Sequence, residues 1–129
     1  MSIWRVFEFL DGRNRGIVSA WLEHERVPKD QLAAFRAKID ALSSGGPEMV
    51  PGLIAGPIKQ RKLGITGIYK MKIRGNKGWV QLRPMLCYGP FTHDSKVITM
   101  LLGALEKDRK LIPHDCLKRA DGNRRILLR

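Results

Sequence analysis

Residues 67–105 constrain the fold most, because they read as three consecutive β-strands. From Tyr69 to Arg74, apolar and basic residues alternate with the period of two that is typical of a half-buried strand. Gly75-Asn76-Lys77-Gly78 predicts a turn, and a second strand runs from Trp79 until Gly89-Pro90 ends it. Residues 97–105 are almost continuously apolar, which indicates a central strand covered on both faces.

The charge of the chain is concentrated on this predicted sheet and on the C-terminal segment. The net charge is +12, but residues 1–48 contain seven basic and seven acidic residues and are neutral. Residues 49–93 contribute +8 without any acidic residue, and residues 106–129 contribute +4. A localised basic surface favours a polyanionic partner: nucleic acid first, then an anionic membrane, then an acidic protein.

The remaining segments complete one α+β domain over residues 1–129. Residues 2–10 predict a strand, and residues 15–26 and roughly 29–43 predict two helices that form a hairpin over one face of the sheet. Residues 45–67 predict an irregular loop. We expect a three- to four-stranded antiparallel sheet, followed by a short helix over 115–120 that ends at Gly122. The basic tail, 124–129, then forms an edge strand or is disordered.

The sequence lacks the signals of several other classes of protein and of site. No apolar run approaches the ~20 residues of a spanning helix, and Arg5 and Glu8 interrupt the N-terminal stretch where a signal peptide would lie. Cys87 and Cys116 have neither metal-binding nor redox spacing, so we expect two reduced cysteines in a cytoplasmic protein. No metal-ligand cluster, phosphate-cradling glycine loop or nucleophilic triad is recognisable, and we expect no metal or other cofactor.

Four blocks in the order of a known family carry a resemblance. They are Ile3–Gly16 with Ala20-Trp21-Leu22, then Ile39–Leu42 with Gly45-Gly46-Pro47, then Gly67–Arg74, and finally Val97–Lys107. Together they cover most of residues 3–113, and their order resembles the RelE/ParE superfamily of toxins, in particular its HigB-like, phage-derived branch. Arg83 falls where that family has the Arg of its Tyr-Arg-Val-Leu-Tyr strand.

The resemblance implies a RelE-like, microbial-RNase-like fold and a small basic toxin of a toxin–antitoxin system. Such a toxin cleaves mRNA in the decoding site of the ribosome without a metal ion, and a co-expressed antitoxin, often a helix-turn-helix protein, neutralises it. The chain departs from the family at Glu106, where a Lys is usual, at Leu102, where a His is common, and at Pro84, which removes a ladder donor and makes its strand an edge or bulged. His114 is the counterpart of a C-terminal Tyr or His.

Metal-free RNA cleavage needs a base for the 2′-hydroxyl, cations for the charge that grows on phosphorus, and an acid for the leaving 5′-oxygen. We expect Lys72, Arg74 and Arg83 to share the sheet face opposite the helices. The two arginines suit the phosphate, and Lys72 suits the role of base or of positive charge. His114 is the candidate acid. The alternative is a solvated basic strand face.

Further basic and aromatic residues complete a predicted nucleic-acid-binding surface, on which Gln81 orients a base or phosphate and Trp79 stacks a nucleobase or packs at a sheet end. These residues are Lys59, Arg61, Lys62, Lys70, Lys77, Trp79, Gln81, Lys107, Arg109 and Lys110. The last three bind RNA backbone or an acidic antitoxin. Two other functions remain open: a non-catalytic nucleic-acid- or partner-binding module of phage origin, and a ParE-like inhibitor of DNA gyrase.

Overall fold

The computed structural model describes residues 4–58, 64–65, 67–74, 80–89 and 96–128. Its helices are α1 (Ile17–His24), α2 (Lys29–Gly45), a short 3-10 helix (Pro47–Met49) and α3 (Cys116–Leu127). Its strands are β1 (Arg5–Glu8), β2 (Ile54–Ala55), β3 (Tyr69–Met71), β4 (Val80–Leu82), β5 (Met85–Tyr88), β6 (Val97–Leu102), β7 (Leu105–Lys107) and β8 (Lys110–Ile112). The prediction of an α+β chain that begins with a strand and a helical hairpin is confirmed.

The larger sheet has five strands in the order β1-β6-β5-β3-β2 and is mixed. Strand β1 runs parallel to β6, with Arg5 level with Val97 and Glu8 level with Met100, whereas the other neighbours are antiparallel. The prediction of a purely antiparallel sheet is therefore wrong. A parallel neighbour requires a long connection. This pairing joins the first strand to one more than 90 residues later, a relationship that alternation within each strand does not reveal.

Strands β4, β7 and β8 form a second sheet, which is joined to the first one through the continuous pairing of β4–β7 and β5–β6. The antiparallel register runs without a shift from the Val80–Lys107 pair to the Met85–Leu102 pair. Between them, the Arg83 N–H donates to the carbonyl oxygen of Ala104 at 2.8 Å. A register shift follows between Met85 and Leu86, so the ladder is irregular beside Pro84, but the extra residue, Leu101, lies in β6 and not in the strand of Pro84 as expected. The hairpin β7–β8 was not predicted.

Strand β6 is the centre of the molecule, and all six of its residues are buried. Its residues belong to two apolar clusters on opposite faces of the sheet. Ile98 and Met100 pack with residues of α1 and α2, whereas Leu101 and Leu102, two consecutive residues at the register shift, pack with residues of α3. The predicted central strand, covered on both faces, is confirmed. The helices consequently lie on both sides of the sheet and not in one layer.

Helix α3 is longer than predicted. It continues through Gly122 to Leu127, so residues 124–127 are helical and form neither the edge strand nor the disordered tail of the expectation. The helix is held by the burial of Cys116, Leu117 and Ala120 and by a hydrogen bond from Asn123 Nδ2 to the carbonyl oxygen of Leu101, at 2.8 Å. Tertiary packing thus overrides the low helix propensity of one exposed glycine, which costs only about 1 kcal/mol.

Candidate functional site

Two strand segments bring the predicted cationic residues together. Tyr69 pairs with Leu86, Lys70 with Met85 and Ile73 with Leu82, all in one antiparallel register. The same register places Lys72 opposite Arg83 and Arg74 opposite Gln81. Ile73 and Leu82 exchange two backbone hydrogen bonds, of 3.1 and 2.8 Å. The next pair, Lys72 and Arg83, is therefore a non-hydrogen-bonded pair, in which side chains on the two strands approach most closely.

These side chains project away from α1 and α2. Met71, Ile73 and Leu82 are buried in the cluster that contains residues of α1 and α2. Because successive residues of a strand point to opposite faces, Lys72 and Arg83 occupy the other face. Lys72 and Arg74 are exposed there, whereas only 8% of Arg83 is exposed. Helix α3 packs on this same face, but over β5 and β6.

Glu106 lies at the centre of this basic face. It is the register partner of Gln81 across the β4–β7 ladder. Its Oε1 accepts a hydrogen bond from Lys70 Nζ at 3.1 Å and lies 3.5 Å from Arg83 Nε. About one fifth of the Glu106 side chain and one quarter of the Lys70 side chain are exposed (21% and 25%). We call the group Lys70, Lys72, Arg74, Gln81, Arg83 and Glu106 the Glu106 cluster.

The protonation state of Glu106 follows from its neighbours. Burial raises the pKa of this carboxyl group, but the hydrogen bond from Lys70 and the positive charge of Arg83 outweigh burial and lower the pKa below its usual value. Glu106 is therefore an ionised carboxylate at neutral pH, held between two cations. An ionised oxygen is the form that can accept a proton.

Arg83 is the most deeply placed cation of the cluster. Its Nη1 donates to the carbonyl oxygen of Leu82 at 3.0 Å. Its Nε is buried and has no hydrogen-bond acceptor within the described ranges, because the Glu106 oxygen at 3.5 Å is too distant for a well-formed bond. A buried donor without a partner costs about 1–3 kcal/mol. An oxygen atom that came closer to this N–H would recover part of that cost.

His114 lies in a different place. It lines an open groove of about 890 Å³ together with Lys107, Arg109 and Lys110. No member of the Glu106 cluster belongs to the part of the groove lining that the structure describes. The three basic residues surround the β7–β8 turn, where Asp108 and Arg109 have φ values of 52° and 65°. The structure thus assembles the predicted site residues into two groups and does not place His114 beside Lys72.

Five of the predicted residues lie outside the described ranges: Lys59, Arg61, Lys62, Lys77 and Trp79. The residue that sequence reasoning missed is Glu106, which stood out only as a departure from the family pattern. One signal for it exists. Between residues 49 and 106 the chain has only two acidic residues, Asp94 and Glu106, and Glu106 directly follows the apolar central segment. An isolated carboxylate in a basic segment will find a cationic partner when it is partly buried.

None of the helices in the described ranges is long and apolar enough to cross a membrane. Comparison of the chain with models of protein families, with curated proteins and with solved structures gives no match. Function therefore has to be inferred from the chemistry of the Glu106 cluster and from the charge around it.

Proposed function

We propose that the protein binds single-stranded RNA at the Glu106 cluster and cleaves it without a metal ion, as the toxin of a toxin–antitoxin system of the RelE/HigB kind. Its substrate is mRNA on the ribosome, and an antitoxin protein neutralises it. One observation carries the proposal: Lys72 and Arg83 face each other across the ladder, and Arg83 lies 3.5 Å from the ionised Glu106. A base and two phosphate-binding cations are thereby adjacent.

Binding of RNA follows from the charge balance of the cluster. It contains four cations and one carboxylate, so its net charge is +3 with Glu106 ionised. Lys72 and Arg74 are exposed and available to phosphate oxygens. A guanidinium group can donate two parallel hydrogen bonds to a phosphate, which fixes its orientation.

The chemical step uses the same groups. Glu106 accepts the proton of the 2′-hydroxyl while O2′ forms a bond to phosphorus and the bond from phosphorus to O5′ breaks. The ammonium group of Lys72 donates a proton to the departing O5′, and Arg83 and Lys70 stabilise the charge on the phosphorane. The products are a 2′,3′-cyclic phosphate and a 5′-hydroxyl. Phosphate oxygens compete with Glu106 for the N–H donors of Lys70 and Arg83, which restores the basicity that these cations remove.

The alternative is a module that binds nucleic acid without cleaving it. Lys70 and Arg83 both contact the same oxygen of Glu106. This arrangement favours the binding module, because an ion pair of this kind can have the purely structural role of neutralising buried charge. The position of His114, in the groove beside the β7–β8 turn, favours it as well.

Purified protein added to translating ribosomes separates these functions. We expect the parent protein to cut ribosome-bound mRNA in the presence of EDTA and to leave cyclic-phosphate ends. Glu106→Gln should cut about 100-fold more slowly or worse, while it retains RNA binding. Glu25→Gln, at an exposed carboxylate just after α1, is the matched control and should cut like the parent.

Three other outcomes would contradict the proposal. Cleavage by Glu106→Gln at the parental rate contradicts the assignment of the base. RNA binding by both proteins without any cleavage establishes the binding module. Intact RNA together with inhibited supercoiling by DNA gyrase would identify a ParE-like inhibitor instead.

A further inference from the structure

Three aromatic rings meet on the opposite face of the sheet from the Glu106 cluster. The ring of Tyr88 lies between those of Tyr69 and Trp4, with centroid distances of 4.8 Å and 6.2 Å. Both contacts are edge-to-face, with interplanar angles of 77° and 64°. Tyr69 and Tyr88 stand at the ends of β3 and β5, and Trp4 directly precedes β1. We call these three residues the aromatic ledge.

The rings of Trp4 and Tyr69 pack closely against glycine residues. A Cβ atom on Gly46 would overlap the indole of Trp4, and one on Gly56 would lie 2.9 Å from Cδ2 of Tyr69. The backbone N–H of Trp4 also donates to the carbonyl oxygen of Ser43 at 3.1 Å, which ties it to the end of α2. The two closely packed rings both contact Tyr88 and restrict its ring, which lowers the conformational entropy lost when a ligand stacks on Tyr88.

Tyr88 is the member of the ledge that solvent reaches. It is 40% exposed, although it follows the buried residues Met85, Leu86 and Cys87 on the same strand. An exposed aromatic ring held between two others is a platform for a flat apolar ligand. Burial and the neighbouring Tyr69 raise the pKa of its hydroxyl group, so the ring is neutral at physiological pH.

A basic residue, Lys96, lies level with one member of the aromatic ledge. Val97 is the register partner of Arg5 in the parallel β1–β6 pair, so the preceding residue, Lys96, is level with Trp4. Lys96 is exposed, and its carbonyl oxygen accepts a hydrogen bond from the N–H of Arg5 at 2.8 Å, which fixes its backbone. An aromatic surface beside a cation suits a nucleotide, whose base stacks while its phosphate is neutralised.

We propose that the aromatic ledge is a second RNA subsite, in which Tyr88 stacks one nucleobase of a single-stranded RNA and Lys96 contacts the adjacent phosphate. This inference rests on the proposed binding of RNA and adds a base-recognising subsite to it. Stacking tolerates any base, because every base presents a π-face, so the subsite selects single strands over duplexes. Lys70, the neighbour of Tyr69, points to the other face, so the subsite and the Glu106 cluster can be altered separately.

The test compares two probes and two variants. The probes are a short unstructured RNA and an abasic RNA of equal length and charge. Tyr88→Phe keeps the ring, and Tyr88→Leu keeps apolar bulk without a π-face. We expect Tyr88→Leu to bind the RNA roughly 5- to 150-fold more weakly, which corresponds to the ~1–3 kcal/mol of one base–aromatic stack. Its affinity for the abasic RNA should be that of the parent, and Tyr88→Phe should bind both probes like the parent.

Several results would overturn the subsite. Equal losses of affinity for both probes would show that Tyr88→Leu disturbs the fold and not stacking, and thermal melting monitored by circular dichroism would reveal the same. Parental RNA affinity in Tyr88→Leu refutes stacking while RNA binding by the Glu106 cluster stands. If the parent binds neither probe, RNA binding itself fails, and the subsite fails with it. Displacement of bound RNA by a proline-rich peptide, with loss of peptide affinity in Tyr88→Leu, would assign the ledge to a protein partner.

Discussion

Lys72 lies directly opposite Arg83 in the antiparallel ladder, and the two residues form no backbone hydrogen bond with each other. The two cations nevertheless differ in their surroundings. Arg83 is 8% exposed and contacts Glu106 and the carbonyl oxygen of Leu82, whereas Lys72 is exposed. We infer that Arg83 contributes to both stability and binding, and that Lys72 contributes to binding alone.

Replacement of each cation by methionine separates these contributions. Arg83→Met removes the hydrogen bond to Leu82 and one of the two cations beside Glu106, so we expect a loss of about 1–3 kcal/mol in the free energy of unfolding. Lys72→Met should change it by less than about 0.5 kcal/mol, because the side chain is exposed. Urea denaturation measures both values. Equal stability of the two variants would show that the Arg83 contacts contribute nothing.

The carboxylate of Glu106 makes stability depend on pH. Its folded-state pKa is lowered, so its contribution is present above the unfolded-state value of about 4.3 and disappears as the pH falls through the folded-state value. Glu106→Gln should therefore be less stable than the parent at pH 7, and the difference should shrink below about pH 4. Denaturation curves of both proteins at several pH values test this. A difference that stays constant down to pH 3 would contradict the ion pair.

Sequence reasoning found the parts of the fold that depend on local pattern. The alternation from Tyr69 to Arg74 placed the cations on one face, and the apolar run through β6 identified the central strand. It missed the β7–β8 hairpin because its tight turn consists of Asp108 and Arg109, which adopt positive φ without the glycine or asparagine that usually signals such a turn.

The site was only partly predictable for a different reason. Lys70 and Glu106 are 36 residues apart, and their contact depends on the order of strands, which the residue pattern does not encode. A lone Glu at a position where the resembled family has Lys therefore looked like a lost function. The separation of His114 from Lys72 likewise follows from the hairpin that was not foreseen.

Gly103 lies opposite Pro84 in the ladder and packs closely against Trp21. A Cβ atom there would overlap the indole ring of Trp21, whose affected atoms belong to the ring and cannot move aside without the whole side chain. We expect Gly103→Ala to lower the free energy of unfolding by about 1–3 kcal/mol. Gly122→Ala is the matched control: nothing lies within 4 Å of the added Cβ atom in α3, and the variant should gain about 0.5–1 kcal/mol. Thermal melting of both variants should show shifts of opposite sign, and a stabilised Gly103→Ala would refute the close packing.

Binding of single-stranded RNA should depend steeply on salt. Each neutralised phosphate contributes about 0.7 to the slope of log K against log salt concentration for a single strand. Removal of the two exposed cations in Lys72→Met/Arg74→Met should reduce that slope by about 1.4. Fluorescence anisotropy titrations at several salt concentrations provide the slope. An unchanged slope would place the phosphates elsewhere on the protein.

The most direct measurement is the rate at which ribosome-bound mRNA is cleaved by two double variants of equal net charge. Lys72→Met/Arg74→Met removes two exposed cations of the Glu106 cluster, and Lys29→Met/Arg36→Met removes two exposed cations of α2. We expect the first variant to cleave about 100-fold more slowly than the parent or worse, and the second to cleave at nearly the parental rate. Equal rates for the two variants would contradict cleavage at the Glu106 cluster.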